Sequence, residues 1–223
     1  MNIIIKNQNK TKSDFNNWFD SSCLPNILTK AKTLDKKECF EIYKYFLQYR
    51  PLIIFEFGVQ YGCSTRFFLE LSNHLNLNVV LHSFDIKNNV KYAEFKQFFM
   101  HIQDITEHVD SVFKELPKPD LVFLDAHPYQ LTKNIMKKCL KNQINFMTHD
   151  VSQEIGKIRA SKRTNQFTNF SPSTGAEWEL YTICELISQD LWTSTSYHND
   201  KIDVKIITGK YGLAICQHKS QLK

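Results

Sequence analysis

At 223 residues, with 42% apolar and 23% charged side chains, the chain has the make-up of one globular domain with a sizeable core. Its net charge of +5 is mild, which permits an anionic substrate without pointing to a nucleic-acid partner. No apolar run is long enough to span a membrane, Met1 to Lys6 lacks the core of a signal peptide, and six cysteines show no Cys-x-x-Cys pair, so a cytoplasmic protein with reduced thiols is expected.

In chain order, the first thirty residues read as polar and irregular, anchored by Phe15, Trp18 and Phe19. A helix from Asp35 to about Tyr49 follows, opened by a capping box of Asp35 with Glu38 and faced by Phe40, Ile42, Tyr43, Phe46 and Leu47. Residues 1–49 thus form an N-terminal helical cap, and 50–218 the main domain. A strand at Leu52 to Phe57 runs through a glycine turn into a helix from about Arg66. Val79 to Phe84 is a second strand, then come a helix around Tyr92 to Met100 and a short strand near His101 to Gln103. A helix from Thr106 to Leu116 stops at Pro117 and Pro119. The strand Leu121 to Leu124, a helix Leu131 to Asn142 and a strand Ile144 to Thr148 come next. Residues 151–175 read as a long polar loop carrying Lys157, Arg159, Lys162 and Arg163. A helix from Glu177 to Leu191 and a hairpin, Ile202 to Ile207 and Leu213 to Gln217, close the chain. Strands alternating with helices imply an α/β fold: a Rossmann-like, doubly wound, mostly parallel seven-stranded sheet with a C-terminal antiparallel hairpin.

The most informative stretch is Glu56-Phe57-Gly58-Val59-Gln60-Tyr61-Gly62-Cys63-Ser64-Thr65. Glycines four apart do not make the G-x-G-x-x-G of dinucleotide folds, and an acid two residues before the first would repel a phosphate but suits a cationic ligand. The pattern resembles the first motif of class I S-adenosylmethionine-dependent methyltransferases. That resemblance implies a cofactor with an amino group and a sulfonium, held around Glu56, Gly58, Tyr61, Gly62, Ser64 and Thr65.

Four strands end in an acid: Asp85, Asp104, Asp125 and Asp150. Ligands of open α/β sheets bind outside these strand ends. Each aspartate singly has a bland reading as a helix cap or turn residue; together, beside the glycine turn, they outline a site. Asp85 stands where an acid accepts from ribose hydroxyls, and the resemblance gives Asp104 the adenine amino group. The segment Asp120-Leu121-Val122-Phe123-Leu124-Asp125-Ala126-His127-Pro128-Tyr129 is similar to that of the small-molecule O-methyltransferases of the macrocin and catechol group, the family 24-like enzymes. Carried over, Asp125 and Asp150, with His149 as a third, are ligands of a divalent metal, magnesium or manganese. His149 stands where those enzymes have an acid, and histidine suits manganese, iron or zinc better than magnesium.

A hydroxyl is a poor nucleophile at neutral pH, so O-methylation needs a base, a metal, or both. His127 is the preferred general base; the alternatives are that His127 serves the loop's own hydrogen bonding, or that His149 is the base. The resulting expectation is methylation of a hydroxyl on a sugar or other small metabolite, with no nucleic-acid or membrane partner. Two other readings remain: amino N-methylation of nucleic acid, whose Asp/Asn-Pro-Pro-Tyr/Phe motif is broken here by Ala126 and His127, and a non-catalytic S-adenosylmethionine-binding protein. A nicotinamide dehydrogenase would want the missing third glycine.

Overall fold

Strand residues that are apolar on both faces collect into one sheet, and a computed structural model describes it over residues 2–31, 33–87, 90, 95–126, 128–152, 178–209 and 211–219. The parallel half comprises β1 (Ile53–Phe57), β2 (Val80–Asp85), β3 (Phe98–Ile102), β4 (Leu121–Leu124) and β5 (Asn145–His149). The edge comprises β6 (Ser196–His198), β7 (Ile202–Ile207) and β8 (Leu213–His218). The order is β3-β2-β1-β4-β5-β8-β7-β6, with β8 antiparallel to β5 and β7 antiparallel to β8. The expected α/β fold with its closing hairpin is therefore present. The described sheet has one strand beyond seven, the short edge strand β6, too brief and polar to stand out in sequence.

Both faces of the sheet are covered. On one face α1 (Asn2–Ser21), α2 (Leu24–Ala31), α3 (Lys36–Tyr49) and α4 (Cys63–His74) share a core with Ile54, Leu81, Phe123, Met147 and Ile215. On the other, α5 (Val109–Glu115), α6 (Tyr129–Asn142) and α7 (Trp178–Ile187) pack on Phe55, Phe57, Val122, Phe146 and Val204. Alternate residues of β1, β4, β5 and β8 serve opposite cores, as the two-residue period of a strand requires.

The N-terminal stretch is helical rather than irregular. Phe15, Trp18 and Phe19 fall at i, i+3 and i+4 of α1; Phe15 packs on Phe40 and Tyr43 of α3, Trp18 on Tyr43, and Phe19 on Phe15. The capping box at Asp35 is formed as expected: Glu38 N–H donates to Asp35 Oδ1 at 2.9 Å and Asp35 N–H to Glu38 Oε2 at 2.8 Å. The helix expected to reach Met100 does not: residues 98–100 are in β3, paired in register with Leu81, His82 and Ser83. Residues 91–94 of that helix and 153–175 of the long polar loop lie outside the described residues.

Strand order reverses between β1 and β4, because the chain builds β1, β2 and β3 to one side before crossing to β4 and β5. Their carboxyl ends open a crevice at that point, the place where doubly wound sheets take ligands.

Candidate active site

The chain leaves β1 through a turn that only particular residues permit. Gly58 has φ +85°, and a Cβ there would lie 2.4 Å from the Asp125 carbonyl oxygen and 2.8 Å from the Ala126 nitrogen. The backbones of the β1 and β4 exits are thus pressed together, which only glycine allows. Gln60 also adopts a left-handed conformation, φ 49°, and Gly62 caps α4.

Beneath the turn lies a buried polar knot. Glu56 is wholly buried; Ser64 Oγ donates to its Oε1, and Thr65 Oγ1 and Ser83 Oγ to its Oε2, each at 2.6 Å. Burial pushes its pKa up to about 7, against the lowering by these three hydroxyls, and the Asp125 charge adds to the rise. Asp85, from the end of β2, accepts at Oδ2 from the Val59 and Gln60 amides at 2.8 and 2.9 Å. The carboxylate therefore braces the glycine turn from outside, as Glu56 does from below.

Above this frame is a cavity of about 510 Å³, in the range of cofactor sites. Gly58, Tyr61, Asp85, Asp104 and Asp125 line it together, with Gln60 and Gln103 supplying further polar groups and Ile86, Ala126 and Leu131 apolar walls. Asp104 Oδ1 accepts from the Thr106 amide at 3.0 Å, and bonds from Thr106 hold its carboxyl below the usual range. Of the residues grouped from sequence as cofactor-binding, Glu56, Gly62, Ser64 and Thr65 are not part of the lining. Both Glu56 oxygens are occupied by hydroxyls, so the carboxylate orders the turn from beneath. A groove of equal volume, near Lys141, Lys201 and His218 at the amino end of β5, contains none of the residues singled out from sequence.

Beside the cavity Asp125, His149 and Asp150 converge: one ligand-type atom from each lies within 4.8 Å of the others. His149 Nδ1 is 3.5 Å from Asp125 Oδ1 and 3.4 Å from Asp150 Oδ1, while its Nε2 is 3.5 Å from Glu38 Oε2 of α3. Asp150 holds a left-handed conformation, φ 61°, which aspartate tolerates better than most residues. Burial by itself would depress the His149 imidazole. Asp125 chiefly, with Glu38 and Asp150, outweighs burial and holds its pKa well above the ordinary histidine value. The donor chemistry fits a divalent cation. Two carboxylates and an imidazole nitrogen face one spot, and the nearby Glu38 carboxylate adds a further negative charge.

His127 lies outside the described residues, whereas its neighbours Ala126 and Pro128 both line the cavity. Tyr129 Oη donates to Glu185 Oε2 at 2.7 Å and accepts from Lys133 Nζ at 2.9 Å, tying α6 to α7. Sequence reasoning missed two residues beside His149. Glu38 was read only as a cap, though it shares a helical face with buried Ile42. Tyr211, in the β7–β8 turn, sets its ring centroid 5.8 Å from that of His149.

No protein-family profile and no curated protein matches the sequence. Solved structures do match in fold. An O-methyltransferase from Bacillus cereus in complex with S-adenosylhomocysteine (SAH) aligns at TM-score 0.59 and 14% identity, over 89% of this chain and 91% of that one. The SAH-bound methyltransferase PaMTH1 of Podospora anserina aligns at TM-score 0.57 and 11% identity, over 94% and 87%. Structures of CmcI match as well; the chain spans 62%, 59% and 58% of three of them, at TM-scores of 0.44, 0.46 and 0.47. The chain therefore has the Rossmann-like fold of the S-adenosylmethionine-dependent methyltransferases.

Proposed function

We propose that this chain is an S-adenosylmethionine-dependent O-methyltransferase acting on a hydroxyl of a sugar or other small metabolite, with a divalent cation held by Asp125, His149 and Asp150. One observation carries the reading: Asp125 lines the cofactor-sized cavity and also belongs to the Asp125–His149–Asp150 cluster, so a methyl donor and an acceptor group would meet at this residue. The fold shared with SAH-bound methyltransferases supports the identity of the donor.

Gly58 lets the backbone approach the donor, while Asp85 and Glu56 fix the turn so that no reorganisation is needed when the cofactor binds. Gln60, Gln103 and Asp104 offer polar partners to the donor's ribose and adenine. In the transfer, the acceptor oxygen forms a bond to the methyl carbon as the carbon–sulfur bond breaks. The electron pair stays on sulfur to give the neutral thioether, and the hydroxyl proton passes to a base. His127 is that base in this proposal. His149 is less suited, since the neighbouring carboxylates raise its pKa well above the ordinary histidine value and it is a ligand when the cation is bound. A cation bound there supplies Lewis acidity that lowers the pKa of the acceptor hydroxyl.

The test is an assay with S-adenosylmethionine, magnesium or manganese, and a panel of sugars and other hydroxylated metabolites, read by mass spectrometry for methyl ether and SAH. Methyl ether formation that falls by about a hundredfold or more in His127→Ala is expected. Methylation of bulk RNA or DNA, with none of the panel modified, would move the protein to the amino-methylating class.

A further inference from the structure

Glu38 belongs to the N-terminal helices yet reaches the cluster at the far end of β5. The route is visible in the packing. Lys37 Nζ donates to the Thr208 carbonyl at 2.9 Å, seating the start of α3 on the β7–β8 turn. Gly209 in that turn lies so close that a Cβ would stand 2.6 Å from Asp35 Oδ2 and 2.8 Å from Glu38 Oε1. Leu213, where the turn enters β8, pairs with His149. The capping box is thereby locked against the turn, and its glutamate is directed at the histidine.

Both partners carry a buried atom without a hydrogen bond. Glu38 is fully buried; Oε2 accepts from the Asp35 amide, whereas Oε1 has no partner. His149 is 2% exposed, and its Nε2 also has none, at 3.5 Å from Glu38 Oε2. That separation is within ion-pair reach but longer than a good hydrogen bond. A buried carboxylate is costly unless a donor or cation answers it, so this arrangement favours a ring with its Nε2 proton toward Glu38. With its Nε2 proton held there, Nδ1 is the nitrogen left to give its lone pair to a cation when one replaces the second ring proton between Asp125 and Asp150. A ligating histidine whose other nitrogen donates to a carboxylate is the usual way a ring is fixed at a metal.

We infer that Glu38 is a positioning residue of the cation site: it fixes the tautomer and orientation of His149, making the N-terminal helices part of the catalytic apparatus. The inference rests on the cation reading above, deepening it to a residue no strand-end motif contains.

The experiment compares wild type with Glu38→Gln and Asp35→Ala. Glutamine serves at the third position of a capping box as glutamate does, so Glu38→Gln keeps the cap and removes the charge. Asp35→Ala weakens the cap while leaving Glu38 and its backbone donor in place. Manganese binding is followed by calorimetry, SAH affinity is the control for folding of the cavity, and the His149 ring is observed by 15N–1H spectroscopy of metal-free protein. Glu38→Gln should weaken manganese about 10- to 100-fold with SAH affinity unchanged, and Asp35→Ala, which loosens the cap but keeps the carboxylate, should weaken it severalfold less than Glu38→Gln does. The His149 spectrum should show a protected Nε2 proton in wild type that exchanges faster in Glu38→Gln. Equal manganese affinity in wild type and Glu38→Gln overturns the inference, as does an equal loss in Asp35→Ala. Wild type that binds no manganese, yet shows the ring signal changing with Glu38, retains the positioning role and refutes the cation reading instead.

Discussion

Single residues decide whether the crevice exists as a site. At Gly58 the left-handed backbone and the pressed Asp125 carbonyl forbid a side chain, so Gly58→Ala must push the β1 and β4 exits apart. Calorimetric SAH affinity should fall about tenfold or more, and the melting temperature should fall as well, since the displaced exits carry Phe57, Leu124 and Ala126 of one core. Glu56 makes a different prediction. Its folded pKa, about 7, is above the ordinary 4.5, so the folded chain holds a proton that the unfolded chain gives up. Its contribution is fully present below about 4.5 and is lost as pH rises to about 7. Melting curves at pH 5 and 8 should therefore show wild type losing stability relative to Glu56→Gln over that window; parallel curves would show that burial of the charge is not what sets this carboxylate. That Gly58, Asp85, Asp104 and Asp125 share one crevice was readable from sequence, because motif and strand boundary fall on the same residues. The downward-facing role of Glu56 was not, since it depends on Ser83, contributed by another strand.

At the scale of elements, local signals were sufficient where local forces dominate. The capping box of α3 and the apolar runs of β1, β4 and β5 needed no tertiary information, and each formed where the pattern put it. Asp35→Ala should lower stability by about 1 kcal/mol, measured by denaturant titration, with SAH affinity intact; a loss of SAH binding of similar size would mean that α3 shapes the cofactor cavity directly. Elsewhere tertiary context overrode local preference. Phe95, Phe98 and Phe99 are spaced like a helical face, but Phe98–Ile102 gains a parallel ladder with β2 and becomes a strand. The asparagine-rich N-terminus has weak helix propensity, and α1 owes its form to Phe15 and Trp18 packing on Tyr43, with Phe19 stacked on Phe15.

Across the whole molecule, three separated parts of the chain converge on the crevice. The switch point between β1 and β4 places the cavity, the end of β5 places His149 and Asp150, and the N-terminal helices with the β7–β8 turn back them from behind. Only the first two lie at strand ends, where sequence reasoning looks; the 111-residue separation of Glu38 and His149 leaves no local pattern to read. The central claim is that donor and cation meet at Asp125. It is tested most directly by the anomalous difference map of a crystal soaked with SAH and manganese. The expected result is SAH in the cavity between Gly58 and Asp104, with a manganese peak among Asp125, His149 and Asp150 facing its sulfur. SAH bound away from this crevice, or a cluster that stays free of manganese at saturating concentration, would contradict it.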